Sequence, residues 1–223
     1  MGTLFITFEG IEGCGKSTQA RLLVERLAFL NIPSILTMEP GGTEIGIGIR
    51  HILLDARNHD LPPLAELLLY EADRAIHVEK LIKPALNAGK WVVCDRFSDA
   101  TTAYQGYARG QDMQTVDLLN QMASRGILPG LTFLIDCPVE VGLARALKRN
   151  EGCGEQGQDR FEKEKRHFHV SVRQGYLSIA RKNPERFIVV DGVLNVDELQ
   201  EIIFSHIRPF LPEGTNTSCF FPG

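Results

Sequence analysis

Apolar residues in this chain fall into short runs, separated by longer stretches in which they recur at helical spacing. Leu4, Ile6 and Phe8 alternate with Thr3, Phe5 and Thr7, which predicts a buried strand, and Ala20, Leu23, Leu27 and Leu30 then mark one face of a helix. An apolar run over 32–39 closes on Pro40-Gly41-Gly42-Thr43, the pattern of a strand followed by a tight turn. Helical patterns follow over 45–54 and 64–88, the second with Pro84 expected to kink it. A continuously apolar strand over 91–94 ends on Asp95-Arg96, and a loop and helix then run to about Gly126. A strand over 131–135 ends on Asp136, a helix spans 139–149, and the polar, glycine-rich stretch 150–158 interrupts the pattern. A long helix to about Arg181, a strand over 187–190 ending on Asp191 and a helix over 196–207 complete it.

Five buried strands separated by helices predict an α/β fold, a five-stranded parallel sheet with helices on both faces. Ligands of such sheets gather at the carboxyl ends of the strands, where Gly10, Glu39, Asp95, Asp136 and Asp191 all fall. The length of 223 residues suits a single domain over 1–211 with a short lid at about 148–160, followed by a flexible tail over 212–223.

Between the first strand and the first helix stands G-I-E-G-C-G-K-S-T: Gly10, Ile11, Glu12, Gly13, Cys14, Gly15, Lys16, Ser17 and Thr18. It fits G-x-x-x-x-G-K-[ST], in which glycines let backbone N–H groups turn inward on phosphate oxygens ahead of the positive end of a helix. The strand, loop and helix that the motif demands are all present, so the predicted fold is that of a P-loop NTPase binding a nucleoside triphosphate. In this pattern Lys16 reaches the β- and γ-phosphates and Ser17 holds Mg²⁺. Asp95, at the end of a strand, reads either as a second Mg²⁺ ligand or as a helix cap.

An apolar fraction of 43% is ample for a core, and the net charge of −4 leaves no basic footprint for nucleic acid. No apolar run approaches the roughly 18 residues of a membrane span, and no basic segment precedes an apolar N-terminal core, so a cytoplasmic protein without a membrane partner is expected. The five cysteines are odd in number and form no C-x-x-C, so they indicate neither a disulfide framework nor a zinc site. Cys14 reads either as an oxidisable thiol at a helix N-terminus or as a small residue filling the loop. Phosphoryl transfer needs positive charge around non-bridging oxygens, and Arg50, Arg74, Arg96, Arg145, Arg149 and Arg160 all fall near the expected sheet edge or lid.

At this point the residues become specific. F-E-G-I-E-G-C-G-K-S-T from Phe8, E-P-G-G-T from Glu39, L-L-L-Y-E-A-D-R-A from Leu67, D-R-F-S-D-A-T-T-A-Y-Q-G from Asp95 and D-R-F-E from Asp159 together resemble the thymidylate kinase family over nearly the whole chain. The resemblance implies transfer of a phosphoryl group from ATP to dTMP, with Mg²⁺, in a homodimer. It implies that Glu9, Glu39 and Pro40 help to shape the monophosphate pocket, that Tyr70 stacks on thymine and that Arg74 hydrogen-bonds its O4. Arg50 and Arg96 would grip the monophosphate, Thr101 and Gln105 would line the base pocket, and Tyr104 would crowd the ribose 2′ position. Read from spacing alone, Tyr70 and Tyr104 are equally well core aromatics.

The phosphate loop carries Glu12 and no arginine, so the chain is similar to the type of this family whose catalytic arginine lies in the lid. Arg149 is the expected charge on the transferring group, with Arg145 and Arg160 behind it. Met38 stands where many relatives have arginine, Tyr70 where phenylalanine is usual and Ile76 where glutamine is common. The rival readings are a kinase of dUMP, UMP or CMP, and a nucleotide-binding module without transfer chemistry. A nucleotide switch would carry D-x-x-G and N-K-x-D segments, and the sequence has neither.

Overall fold

A computed structural model of the chain describes residues 2–153, 160–162 and 164–215, without the side chains of 150–153. Five strands form a parallel sheet: β1 (Phe5–Glu9), β2 (Ser34–Met38), β3 (Trp91–Asp95), β4 (Leu131–Asp136) and β5 (Phe187–Asp191). Their spatial order is β2-β3-β1-β4-β5, so β1 lies at the centre with its end in register with the ends of its neighbours, Phe8 opposite Asp95 and Glu9 opposite Leu134. Every residue of β1 is buried, because helices cover both faces of the sheet. Thr7 tolerates this through a hydroxyl pair with Thr132 at 2.8 Å, while Phe8 stacks on Phe133 at 5.3 Å.

The helices are α1 (Lys16–Phe29), α2 (Glu44–Leu54), α3 (Pro63–His77), α4 (Lys83–Asn87), α5 (Ser98–Thr101), α6 (Met113–Ser124), α7 (Val139–Cys153), α8 (Arg166–Lys182) and α9 (Val196–Ile207). Apolar periodicity placed most of them, and two departures follow from backbone chemistry. The pattern over 64–88 runs as a continuous helical stretch with a widened turn in it: α3 ends at His77, a π-helical turn spans Val78–Ile82, and α4 follows. Pro84 supplies no N–H and its ring crowds the preceding turn, so the ladder widens just before it. A second π-helical turn, Thr102–Ala108, follows α5 and carries Tyr104 and Gln105. The helix before the polar break continues to Cys153, further than its apolar pattern reaches, and the remainder of the expected lid over 154–159 lies outside the described residues, as does 216–223 of the expected tail. No described helix is long and apolar enough to cross a membrane.

Candidate active site

The loop from β1 to α1 is held by glycine geometry. Gly13 has φ 69°, and a Cβ there would lie 2.0 Å from the carbonyl oxygen of Gly142 on α7. Only a residue without a side chain lets the loop sit this close to α7. Gly15, at φ 103°, opens α1 without a side-chain cap, so the first N–H groups of that helix face the loop. Lys16 folds over the loop, its Nζ donating to the carbonyl of Ile11 at 2.7 Å and lying 3.6 Å from Cys14 Sγ. Cys14 itself is buried in the core beneath the loop.

Directly beside the loop, the Ser17 hydroxyl donates to Asp95 Oδ2 at the end of β3. The other oxygen, Asp95 Oδ1, is buried and has no hydrogen-bond partner among the described residues. Two hard oxygen donors side by side, one lacking a partner, form the partial shell that Mg²⁺ takes when phosphate oxygens complete it. These residues therefore fit the ion that the phosphate loop implies.

Arg96 follows Asp95 at φ 73°, a left-handed conformation that a non-glycine residue adopts at a cost. Its N–H donates to the carbonyl of Phe8 at 3.0 Å, and its guanidinium lies over the Tyr104 ring, 4.9 Å from the centroid. Nη2 donates to Glu12 at 3.3 Å, and the Tyr104 hydroxyl donates to the same carboxylate oxygen. His169 Nδ1 lies 3.3 Å from the other oxygen of Glu12. Burial alone would raise the pKa of Glu12, but His169, Arg96, Lys16 and Tyr104 together outweigh it and lower the value to about 2. Glu9, three residues earlier, behaves in the opposite way: burial, then the charge of Asp99, pushes it up to about 8.

On the other side of the sheet edge, Arg74 from α3 is fully buried and almost fully committed. Nε donates to Glu39 at 2.9 Å, Nη1 donates to Glu71 and Asn120 at 2.7 Å each, and Nη2 donates to Thr101 at 2.9 Å. A guanidinium has five N–H groups, so one on Nη2 is left for another acceptor. Glu39 is fixed from behind by His77 Nδ1 at 2.8 Å, whose Nε2 pairs with Thr37 at 2.7 Å. Arg50 donates to the carbonyl of Pro40 at 2.9 Å and packs so tightly on Gly41 that a Cβ there would lie 2.9 Å from its Cδ.

These groups open on a common cavity of about 410 Å³. Of the residues singled out from the sequence, Glu12, Gly13, Lys16, Ser17, Glu39, Pro40, Arg50, Tyr70, Arg74, Asp95, Arg96, Thr101, Tyr104, Gln105 and Arg149 line it. The volume falls in the range of small-molecule sites, and cations, phosphate-loop groups and aromatic side chains converge on it.

The family model described as Thymidylate kinase matches residues 8–203. The chain belongs to the thymidylate kinase family. The Thymidylate kinase of Geobacter sp. (strain M21) is 53% identical over 204 residues, covering 92% of this chain and 91% of that protein. That of Geotalea uraniireducens (strain Rf4) is 52% identical over 210 residues, covering 94% of this chain and 99% of the relative. Among solved structures, thymidylate kinase from Ehrlichia chaffeensis superposes with a TM-score of 0.74 at 36% identity, covering 93% of this chain and 99% of that one.

Not every residue expected from the thymidylate kinase resemblance reaches the cavity. Glu9, Gly10, Ile11, Cys14, Gly15 and Thr18 do not line the cavity. Arg145 is turned elsewhere, its Nη1 donating to the carbonyl of Gly192 in the turn after β5 at 2.8 Å. Arg160 is buried away from the phosphate loop, pairing with Glu66 at 2.5 Å and donating to the carbonyl of Leu53 at 3.0 Å. Glu66 also accepts from Gln105 and Arg109, so the expected lid exit is tied to α3. Of the acidic strand ends, Asp136 pairs with Arg173 and Asp191 caps its own turn on Val193.

Sequence reading gave no role to several residues at or behind this cavity. Glu71, His77 and Asn120 hold Arg74 or its partner, Phe97, Phe161 and Glu162 line the cavity, and Tyr176 bonds Arg96. Asn120 did carry a signal, being polar at a position whose helical neighbours Val116 and Ala123 are apolar.

Proposed function

We propose that this protein transfers the γ-phosphoryl group of ATP to dTMP, giving dTDP and ADP. The observation that carries the reading is that phosphate-loop residues Lys16 and Ser17 and the residues Tyr70, Arg74, Thr101 and Gln105 line the same cavity. One group supplies the chemistry of a triphosphate site, and the other offers an aromatic face and a guanidinium N–H suited to a pyrimidine and its carbonyl.

In the reaction, an anionic phosphate oxygen of dTMP forms the new bond to the γ-phosphorus. The bond from that phosphorus to the β,γ-bridging oxygen breaks, and ADP leaves with the electron pair. The acceptor oxygen is already ionised, so no general base is required, and catalysis reduces to alignment and charge neutralisation. Lys16 and Arg149 face the donor phosphates, while Arg96 and Arg50 hold the acceptor phosphate. Mg²⁺ bound by Ser17 and Asp95 would supply further positive charge to the phosphate oxygens. Tyr70 stacks on thymine, Arg74 offers its remaining N–H to O4, and Thr101 and Gln105 complete the base wall. Tyr104 stands at the ribose 2′ position. Glu9, Glu39 and Pro40 support the acceptor pocket. Arg145, tied to the turn after β5, belongs to the donor-nucleotide side rather than to the transferring group.

A homodimer is part of the same reading. Leu64 and Leu68 on α3, and Leu118 and Met122 on α6, are exposed one helical turn apart on helices that pack against each other. Such an apolar face suits a second copy of the chain. The cytoplasm, where nucleotide substrates are held, is the compartment this function requires.

The reading is tested by incubating the purified protein with ATP, Mg²⁺ and dTMP and separating the nucleotides. Equimolar dTDP and ADP are expected. ADP without dTDP, or no turnover, would contradict it.

A further inference from the structure

Tyr176 on α8 lies outside the cavity wall, yet its hydroxyl joins two groups that the site depends on. Arg96 Nη1 donates to it at 3.0 Å, and it donates in turn to Glu9 Oε2 at 2.8 Å. The other oxygen of Glu9 accepts the N–H of Phe97 at 2.7 Å. One buried acidic side chain, Glu9, thus governs both the Arg96 side chain, through Tyr176, and the peptide that follows it, directly. That arrangement lies where the backbone needs support, since Arg96 is held in the left-handed region. Tyr176 is fully buried and packs edge-on to Tyr104 at 6.2 Å, the ring over which the Arg96 guanidinium lies. Burial pushes its phenol well above the ordinary value, so the hydroxyl stays protonated and remains a donor to Glu9.

Position along α8 supports the same view. His169, Arg173 and Tyr176 are spaced at i, i+4 and i+7, so they share one face of the helix. Each meets an acidic side chain at the carboxyl edge of the sheet: Glu12, Asp136 and Glu9 in turn.

We propose that Tyr176 is a positioning residue that holds the Arg96 guanidinium on the acceptor phosphate by linking it to Glu9. This rests on the reading above that Arg96 grips that phosphate. Because the link serves a phosphate contact, its loss acts on dTMP and leaves thymidine, which has the same base and sugar without the phosphate, unaffected.

The experiment compares wild type, Tyr176→Phe, Arg96→Ala and the double variant by calorimetric titration with dTMP and with thymidine, together with steady-state kinetics. Removing one hydrogen bond to a charged group is expected to weaken dTMP binding about tenfold in Tyr176→Phe, with a matching fall in kcat/KM for dTMP. Thymidine affinity and the KM for ATP should stay within about twofold of wild type, which also reports that the variant is folded. In the Arg96→Ala background, adding Tyr176→Phe should change nothing further. Unchanged dTMP affinity in Tyr176→Phe, equal loss of dTMP and thymidine, or additive losses in the double variant would overturn the proposal. Wild-type protein that binds dTMP no more tightly than thymidine would overturn the functional reading along with it, and is seen before any variant is made.

Discussion

Arg74 and Glu39 form a buried ion pair at 2.9 Å, on the wall of the cavity and beneath the turn that follows β2. Neither side chain reaches bulk water, and Glu71 shares the same guanidinium at 2.7 Å. Removing the cation therefore strands two carboxylates. Arg74→Met is expected to cost about 3–5 kcal/mol of stability, read as the shift in a urea unfolding curve. In protein that remains folded, the same change should weaken dTMP binding by about tenfold or more, since the N–H proposed to meet the thymine carbonyl is lost.

The pairing of Ser17 with Asp95 gives an expectation for the metal. Asp95→Asn keeps the shape and removes the charge, so the Mg²⁺ concentration for half-maximal turnover should rise by about tenfold or more. EDTA should abolish turnover in wild type, and added Mg²⁺ should restore it. A metal titration that is the same in both proteins would remove Asp95 from the site.

Glu9 and Glu12 are three residues apart, with pKa values displaced in opposite directions, and this yields a signed dependence of stability on pH. Glu9 rises from 4.5 to about 8 on folding, so between these values the unfolded chain gives up a proton that the folded chain keeps. Stability falls as pH rises through that window, and Glu9→Gln should remove this component, making the variant relatively more stable at pH 8 than at pH 5. Glu12 falls from 4.5 to about 2, so its stabilisation is fully present above 4.5 and is lost as pH drops towards 2. Glu12→Gln should be less stable than wild type at pH 7, with the gap closing in acid. Thermal unfolding of the three proteins across this range checks both signs.

The arginines near the expected lid separate by geometry. Arg149 lines the cavity and Arg145 donates to the carbonyl of Gly192. Arg149→Ala and Lys16→Ala are each expected to lower kcat by about 10²-fold or more, as loss of charge on a transferring group does. Arg145→Ala should act mainly on the KM for ATP, with a kcat within about tenfold of wild type. Equal losses of kcat in the two arginine variants would place both on the transferring group.

Most of the frame was legible in the sequence because it rests on local signals. The inner parallel strands read as apolar runs, the phosphate loop has a fixed spacing of glycines, and β2 and β3 lead into Glu39, Asp95 and Arg96, which open on the cavity. What escaped was set by partners distant in sequence. The approach of Arg74 to Asn120 and of Arg96 to Tyr176 depends on how α6 and α8 pack, and helical period says which residues share a face but not what that face meets. Arg145 illustrates the same limit. It lies one turn from Arg149 on α7, and only the position of the turn after β5 decides that its guanidinium goes to Gly192. The two π-helical turns were hidden because apolar spacing barely changes across a single widened turn.

The central claim is that the pocket built on Tyr70, Arg74, Thr101 and Gln105 takes thymine while the phosphate loop takes ATP. It is tested most directly by measuring ADP release from ATP with dTMP, dUMP, UMP and CMP as acceptors, each over a full concentration range with the same enzyme preparation. The expected result is a kcat/KM for dTMP at least about tenfold above that for any of the others, with the ribonucleotides slowest on the proposed placement of Tyr104 at the ribose 2′ position. A kcat/KM for UMP or CMP equal to or greater than that for dTMP would contradict the account.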